Sequence, residues 1–388
     1  MIREEFLGLL AAAVPVFGAP APIPQPTIPG VFNTTMRIGV VAPLSGDARP
    51  LGQQLLNGVQ AAINELNDRR FATDPVLIFN QYDDHNDAAN AVTQAQFAVG
   101  TPDMVAVIGH LAAAPTLAAL DTYFRAQMPL IVPTVTDDQL TAKGYRNVFR
   151  LPIKNSDEGA LLAAYVIGTG AKAAQVVCQD GDYGTQVAKG FVQRAGALHV
   201  NAPSTQFPLV NPDYGKAADT ILAHTPDCIV FAGNVADLGP LLPVLRAKGY
   251  TGRFVASQGF FDPLTGQKYA KEAEGMFIST CVPYYPLAPN TAIDVQNFQR
   301  RYGALTPVTA FGYAGVQLVQ AAFRRAQATN RLTMNRALDS GGVFDTMTGA
   351  YAFGPFGDVI APNCYFYSLH NGKFSYEHQA HPSGFMVK

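Results

Sequence analysis

The stretch Val107-Ile108-Gly109-His110-Leu111, together with the later stretch Leu130-Ile131-Val132-Pro133-Thr134-Val135-Thr136, decides the fold of this chain. Each is a short apolar run of β type that ends in a turn of polar or small residues, and a helical pattern lies between them. Such a βαβ unit places the two turns side by side at the carboxyl ends of two parallel strands. In open α/β sheets, ligands bind at that edge. The two turns are therefore the first candidates for a binding site.

The composition describes a large and weakly charged chain. Its 388 residues are enough for two ordinary domains with substantial cores. Charged residues make up only 14% of the chain, and the net charge is -2. Because there is no basic surplus, nucleic acid and anionic membrane surfaces are not expected partners. No apolar run reaches the roughly 18 residues of a membrane span.

Strand and helix patterns alternate from Met36 onward. Strands are predicted over 37–42, 75–79, 104–108 and 130–132. Three helical patterns lie between them. The first has an apolar stripe at spacings of three or four residues, formed by Leu51, Leu55, Val59, Ile63 and Leu66, and the others lie over 87–99 and from about residue 115. This order predicts a parallel sheet that is covered by helices on both faces.

A second series of the same kind begins after Leu151 and Pro152. Its helices are predicted at 157–169, 184–196, 215–224 and 236–248, and its strands at 174–179, 228–232 and 253–256. The remaining segments are an extended stretch from Phe277 to Tyr285, two helices over 291–303 and 309–327, and a strand-like aromatic region from Phe344.

We therefore predict an α/β protein with two Rossmann-like lobes, in which each parallel sheet receives a returning segment from the end of the chain. Residues 36–152 and 283–363 would form lobe 1, and residues 153–282 and 364–388 would form lobe 2. Three crossover segments would join the lobes near 151–153, 282–286 and 362–366. Residues 1–35 would form an N-terminal arm or the remnant of a signal.

The N-terminal segment has two interpretations. Residues 6–13 resemble the apolar core of a signal peptide, and Ala19-Pro20-Ala21 resembles its cleavage site. Glu4 and Glu5 stand where a signal peptide has positive charges. The alternative is an ordered helix at the start of a chain whose signal has already been removed.

The four cysteines are widely separated, and none forms a C-x-x-C pair. A zinc or iron–sulfur site is therefore not expected, and no metal or cofactor is predicted. Cys178 and Cys228 lie in apolar strand-like runs and are predicted to be buried thiols. A disulfide between Cys281 and Cys364 is a further possibility that the sequence alone does not decide.

Polar residues at the predicted strand ends favour structural roles. We expect His110 to be a structural histidine, hydrogen-bonded inside the protein. Asp83, Asp84 and His85 are expected to form a solvated turn that caps the helix beginning near residue 87. The sequence contains no phosphate loop, no nucleophile elbow and no evident nucleophile–base pair at a strand end, so catalysis is not predicted.

Over residues 36–388 the chain resembles the branched-chain amino-acid type of periplasmic binding protein, known as type I. The resemblance implies two lobes joined by three crossover segments, with the ligand trapped between them by hinge closure. The motifs that support it are Ile38 to Gly46, Tyr82-Asp83-Asp84, Val107 to Leu111, Leu140 to Tyr145, and Asp182-Tyr183-Gly184.

The same resemblance implies where a ligand would bind. Family members that bind amino acids hold the carboxylate with a serine after the third strand and with groups of the next turn. Those positions look like Ala113, Thr134 and Thr136 here. The acidic residue of the second lobe that holds the ammonium looks like Gln258. Because a buried ammonium without a charged partner costs on the order of 3–5 kcal/mol, the substitution at Gln258 argues against a zwitterionic ligand.

Other positions of the implied site also depart from the family pattern. Its flanking aromatic positions look like Leu51, Tyr183 and Asn234, and its first-lobe disulfide looks absent because the matching positions are Asn86 and Ala112. Apolar side chains in the surrounding turns predict a cleft with apolar walls and few polar anchors, with the walls formed by Leu51, Ala112, Ala113, Tyr183 and Phe260, next to Phe261.

These features predict a monomeric periplasmic solute-binding protein that delivers its ligand to an inner-membrane transporter complex. Thr134, Thr136, Asn234 and Gln258 would orient the ligand by hydrogen bonds. The expected ligand is substantially apolar and neutral or mono-anionic, such as an aromatic acid, an amide or a sterol-like lipid. The alternatives are an amino-acid-binding protein of the same family, a ligand-sensing regulator or receptor domain, and an α/β enzyme.

Overall fold

The computed structural model describes residues 35–71, 73–281, 295–360, 362, 364–380 and 386–387. Both interpretations of the N-terminal segment concern residues outside this part of the chain and remain predictions. The predicted crossover at 282–286 also lies outside it.

The described strands are, in chain order, β1 (Thr35–Ala42), β2 (Val76–Asp83), β3 (Met104–Gly109), β4 (Leu130–Val132), β5 (Val148–Arg150), β6 (Ala174–Gln179), β7 (Ser204–Phe207), β8 (Cys228–Ala232), β9 (Arg253–Ala256), β10 (Phe277–Thr280), β11 (Phe344–Thr346), β12 (Gly349–Tyr351), β13 (Cys364–His370), β14 (Lys373–Ala380) and β15 (Met386–Val387).

The described α-helices are α1 (Arg49–Asp68), α2 (Ala88–Gly100), α3 (Ala113–Arg125), α4 (Asn155–Gly168), α5 (Asp182–Ala197), α6 (Tyr214–Leu222), α7 (Val235–Leu238), α8 (Leu241–Ala247), α9 (Pro263–Tyr269), α10 (Val295–Tyr302), α11 (Pro307–Ala326) and α12 (Arg331–Leu338). Short 3₁₀ turns occupy Asp138–Thr141 and Gln258–Phe260.

Lobe 1 is built on a five-stranded parallel sheet with the strand order β2-β1-β3-β4-β5. Its central strands are continuous apolar runs because helices cover both faces of the sheet. On one face, α1 and α11 pack closely together, and a Cβ at Gly58 would lie 1.9 Å from the carbonyl oxygen of Thr309. On the other face, Ala119, Leu120 and Tyr123 of α3 are fully buried against the sheet.

Lobe 2 is built on an eight-stranded sheet with the order β15-β14-β13-β10-β9-β8-β6-β7. Strands β6 to β10 run parallel, whereas β13, β14 and β15 are antiparallel additions. The second sheet thus has the predicted parallel strands, and the returning C-terminal segment extends it with antiparallel strands. A two-residue turn joins β13 to β14, and its residues Asn371 and Gly372 have φ values of 51° and 72°, which suit a tight hairpin.

The chain passes between the lobes at two described places. Leu151 belongs to the core of lobe 1, and Ile153 belongs to a core of lobe 2. Further on, Val359 packs in lobe 1 and Cys364 packs in lobe 2. Cys281, at the end of the described segment after β10, contacts both cores.

Several elements differ from the sequence prediction. The helix predicted over 236–248 is broken into α7 and α8 at Gly239 and Pro240, because proline cannot donate the backbone hydrogen bond that a continuous helix requires. Strands β5 and β7 and helices α9 and α12 were not predicted, since they are short or lack a clear apolar period.

All four cysteines are free thiols, so the disulfide left open between Cys281 and Cys364 is not formed. Cys178 and Cys228 are buried, as predicted. Within the described residues, no helix is long and apolar enough to cross a membrane.

Candidate functional site

The turn after β3 leads directly into the N-terminus of α3. Ala112 is the N-cap residue of this helix, and its side chain cannot accept a hydrogen bond from the first turn. The first turn contains no acidic side chain either, and Ala113 is only half-buried. Backbone N–H groups at Ala113 and Ala114 therefore remain for an external acceptor, and the positive end of the helix dipole favours an anion there.

Thr134 ties this turn to the neighbouring one. Its hydroxyl donates a hydrogen bond to the carbonyl oxygen of Leu111 at 2.7 Å, so the turns after β3 and β4 are held together. Thr136, two residues further on, accepts a hydrogen bond at its carbonyl oxygen from the backbone N–H of Asn155 at 2.9 Å. The structure thus places Thr134 against Leu111, in the turn that leads to Ala113. It places Thr136 of lobe 1 next to Asn155, where α4 of lobe 2 begins.

On lobe 2, Tyr183 and Gln258 lie close to each other. The Tyr183 hydroxyl accepts a hydrogen bond from the backbone N–H of Gly259 at 3.3 Å. The Gln258 side-chain oxygen accepts one from the thiol of Cys281 at 3.1 Å. Both side chains are half-buried, which leaves part of each available to a ligand. Burial raises the pKa of the Cys281 thiol to about 12, so this group acts as a donor at neutral pH.

Behind these two residues lies Glu158, which sequence analysis did not select. Its side chain is only 1% exposed, and its Oε1 atom accepts hydrogen bonds from the backbone N–H of Gln258 at 2.8 Å and the hydroxyl of Ser279 at 2.7 Å. Burial raises the pKa of this carboxyl to about 7. A sequence signal existed, because Glu158, Leu162 and Val166 share the buried face of α4 at helical spacing.

Leu51 and Asn234 lie at the margins of this region. Leu51, on α1, is 46% exposed. Asn234 is also exposed, and its backbone and side-chain nitrogens donate hydrogen bonds to the Gln179 side-chain oxygen at 2.7 and 3.2 Å. Both side chains are accessible to a ligand, and neither forms a hydrogen bond to a described residue of the opposite lobe.

The structure does not place Phe260 where the sequence prediction put it. Its ring is fully buried in a core of lobe 2 and packs 5.3 Å from the ring of Phe231. In this conformation it forms no wall of the cleft. The neighbouring Phe261 is half-buried and packs against Tyr367 and Phe374.

His110 is structural, as predicted. It is fully buried, its Nδ1 atom lies 2.6 Å from Asp84 Oδ2, and its Nε2 atom lies 3.1 Å from the Tyr123 hydroxyl. The prediction of a solvated turn is wrong for Asp84, which is fully buried by this pairing. The side chain that caps α2 is Asp87, which accepts hydrogen bonds from the first turn of the helix.

Gln186 of α5 contributes to the direct polar contacts between the lobes. Its side-chain oxygen accepts a hydrogen bond from the backbone N–H of Asp138 at 3.0 Å, and its side-chain nitrogen donates to Asp137 Oδ1 at 3.1 Å. Asn155 of α4 donates to the same oxygen at 2.8 Å. These contacts lie beside the crossover at Leu151 and fix one side of the junction between the lobes.

Two hollows of about 300 and 420 Å³ lie at the opposite edge of the lobe 1 sheet, around Gln127 and Leu332. Residues at the end of α3 and the start of β3 line these cavities. The cavities lie away from the turns described above, and we do not assign the ligand to them. Among the residues that the structure describes, no group of three or more His, Cys, Asp or Glu side chains could hold a metal ion.

Comparison with curated proteins shows distant relatives across most of the chain. The Leucine-specific-binding protein of Salmonella typhimurium is 25% identical over 334 residues, which cover 85% of this chain and 89% of that protein. The Leu/Ile/Val-binding protein of Escherichia coli is 25% identical over 331 residues, covering 84% and 88% of the two chains.

Solved structures share the fold. A putative branched-chain amino acid ABC transporter protein from Rhodospirillum rubrum superposes with a TM-score of 0.79 at 24% identity and covers 88% of this chain and 100% of its own. A solute binding protein from R. palustris in complex with benzoate gives a TM-score of 0.69 at 19% identity, with 91% and 97% covered. The two-lobed α/β architecture is thus that of type I binding proteins. The model of the family described as periplasmic binding protein matches residues 35–373, and the chain belongs to that family.

Proposed function

We propose that this protein captures a small carboxylic acid with an apolar body in the cleft between its lobes and delivers it to an inner-membrane transporter from the periplasm. The observation that carries the proposal is the N-terminus of α3 at Ala113, which has no side-chain cap. Next to it lies the turn at Thr134, whose hydroxyl donates a hydrogen bond to Leu111. Backbone N–H groups at such an end bind carboxylates without a charged side chain.

Membership in the periplasmic binding protein family supports a role as a solute-binding component of ABC transport rather than as an enzyme. The lobes form the binding machinery, and closure about the crossovers at Leu151 and Cys281 would trap the ligand. The protein would act as a monomer, because one chain supplies both faces of the cleft.

Among carboxylic acids, the comparisons favour amino acids. The curated relatives described above are named for leucine, or for leucine, isoleucine and valine. These names support the amino-acid alternative better than an amide or a lipid, and neither relative is named for a lipid. An aromatic acid is the second candidate, favoured by the neutral Gln258 and by the benzoate complex of a structural neighbour.

A thermal-shift panel on ligand-stripped protein tests the proposal. The panel contains leucine, isoleucine, phenylalanine, benzoate, 4-methylpentanoate and the neutral compounds leucinamide and benzamide. A ligand at a thousand times its dissociation constant adds about 4 kcal/mol to the free energy of unfolding, so a true ligand gives a clear shift. We expect shifts with one or more of the carboxylates and none with the amides. Stabilisation by the amides alone would contradict the proposal.

A further inference from the structure

Glu158 is a buried acid that lies immediately behind the ligand-facing side chains of lobe 2. It occupies the first turn of α4, and one of its oxygens is fully engaged. Oε1 accepts hydrogen bonds from the backbone of Gln258 and from the Ser279 hydroxyl. The carboxyl is thus attached to the residue that stands at the family's ammonium-binding position.

The second oxygen of this carboxyl is much less satisfied. Oε2 has the Tyr183 hydroxyl as its hydrogen-bond partner, at 3.5 Å, the outer limit of such a bond. Within the described part of the chain, no cationic side chain forms an ion pair with Glu158, and none contributes to its pKa shift. A carboxylate buried without a cation is unfavourable, so the protein alone leaves this group in need of a proton or of a positive partner.

We propose that Glu158 is a positioning and specificity residue that supplies the negative charge balancing the ammonium group of an amino-acid ligand held at Gln258 and Tyr183. The inference rests on the proposed function and deepens it, because it selects amino acids from the carboxylic acids. The side-chain oxygen of Gln258 would accept from the ammonium directly, and Glu158 would act from behind it through the low-dielectric interior. The negative charge that is missing at Gln258 would thus be supplied by Glu158, which lies behind Gln258 in the interior of lobe 2.

Binding of an ammonium group near Glu158 would change the number of protons that the protein holds. At neutral pH the unliganded carboxyl is a mixture of protonated and ionised forms, since its pKa is raised to about 7. An ammonium nearby favours the ionised form, so binding of leucine would release up to about half a proton per site at pH 7. A ligand without an ammonium, such as 4-methylpentanoate, would release none.

The other titratable groups that face Glu158 do not compete in this range. Tyr183 on α5, Cys281 after β10 and Cys364 on β13 all have pKa values raised by burial, with that of Cys281 at about 12. These groups keep their protons between pH 5 and about 8.5. A proton released from this region on ligand binding therefore comes from Glu158.

Isothermal titration calorimetry of the full chain tests the inference, with leucine and 4-methylpentanoate as probes at pH 7 in two buffers of different ionisation enthalpy. The variant is Glu158→Gln, which keeps the shape of the side chain and an oxygen for Gln258 and Ser279. The control is Asp157→Asn, the adjacent carboxyl on the same helix, which lies near Lys154 and not at Gln258.

We expect Glu158→Gln to weaken leucine binding about tenfold or more, to abolish the proton release, and to leave 4-methylpentanoate unaffected. Asp157→Asn should behave as the unmodified chain. Leucine binding with equal affinity in both chains, or without proton release in the unmodified chain, would overturn the inference while leaving the proposed function intact. The release is measured without any variant, so a poorly folded Glu158→Gln protein still permits the test. Failure of both probes to bind the unmodified chain, with benzoate binding instead, would reject the amino-acid assignment and the inference with it.

Discussion

The carboxyl of Asp84 lies 2.6 Å from Nδ1 of His110, and both side chains are fully buried. The pair joins the turn after β2 to the turn after β3, and the second of these turns leads into the N-terminus of α3. The family resemblance places the first-lobe disulfide of other members at Asn86 and Ala112, in the same two turns. If that resemblance holds, a buried polar pair connects the two turns that a disulfide would connect in other members.

Removal of the Asp84 carboxyl should destabilise lobe 1. Asp84→Ala leaves the buried Nδ1 atom of His110 without its carboxylate partner, and we expect a loss of about 3 kcal/mol in the free energy of unfolding, measured by urea denaturation. Asp87→Ala, which removes only the exposed cap of α2, should cost about 1 kcal/mol. Equal losses in the two variants would show that the buried pair is not the stronger contact.

Substitutions at Ala113 should change ligand affinity in opposite directions. Ala113→Asp places a carboxylate on the N–H groups that we assign to the ligand, so affinity for the carboxylate that binds should fall more than tenfold, while the helix N-terminus gains stability. Ala113→Ser adds a hydroxyl donor and should raise the affinity several-fold, consistent with about 1 kcal/mol for one hydrogen bond.

Calorimetric titration measures both effects, and Ala118→Asp, an exposed position further along α3, is the matched control. Unchanged affinity in Ala113→Asp would place the carboxylate elsewhere.

Replacement of Arg150 even by lysine should destabilise the protein. Its guanidinium group is fully buried and donates hydrogen bonds to the Asp358 carboxylate at 2.8 Å and to the carbonyl oxygens of Val135 and Asp137 at 3.0 and 2.7 Å. Lysine keeps the charge but cannot reproduce this planar set of donors. We expect Arg150→Lys to lower the free energy of unfolding by about 3 kcal/mol.

The same change at the exposed Arg49 should have little effect. A denaturation midpoint for Arg150→Lys equal to that of the Arg49 variant would refute the account of this side chain.

Glu158 should make stability depend on pH. Its pKa is raised from 4.5 to about 7 on folding, so the stability it contributes is full below about pH 4.5 and is lost as the pH rises towards 7 and beyond. Relative to the unmodified chain, Glu158→Gln should therefore gain up to about 3 kcal/mol between pH 5 and pH 8. Denaturation curves at the two pH values test this, and a difference that does not vary with pH would contradict the assigned pKa.

The main strands and helices could be predicted from the sequence because local residue patterns determine them. Buried parallel strands read as short apolar runs, and three of those in lobe 2, over 174–179, 228–232 and 253–256, have the predicted bounds. The antiparallel hairpin of β13 and β14 was less evident, although the Asn371-Gly372 pair is a turn signal. Family resemblance supplied the candidate site residues, and in the structure the Thr134 hydroxyl contacts Leu111, in the turn that leads to Ala113.

What could not be predicted depends on three-dimensional burial. Asp157 and Glu158 are adjacent acids in the first turn of one helix, and only packing decides that the first is half-buried and the second enclosed. Phe260 follows Gln258 in a tight 3₁₀ turn that points its ring into the core rather than the cleft. Asp84 looked like part of a polar turn until the position of His110 was known.

The most direct test of the central claim compares a carboxylate ligand with its neutral amide by isothermal titration calorimetry, using leucine with leucinamide and benzoate with benzamide. If the turn at Ala113 holds a carboxylate, the acid that binds should do so at least about a hundredfold more tightly than its amide, because charge-assisted hydrogen bonds to the helix N-terminus are lost in the amide. Equal affinity for an acid and its amide would contradict the claim that this cleft recognises a carboxylate.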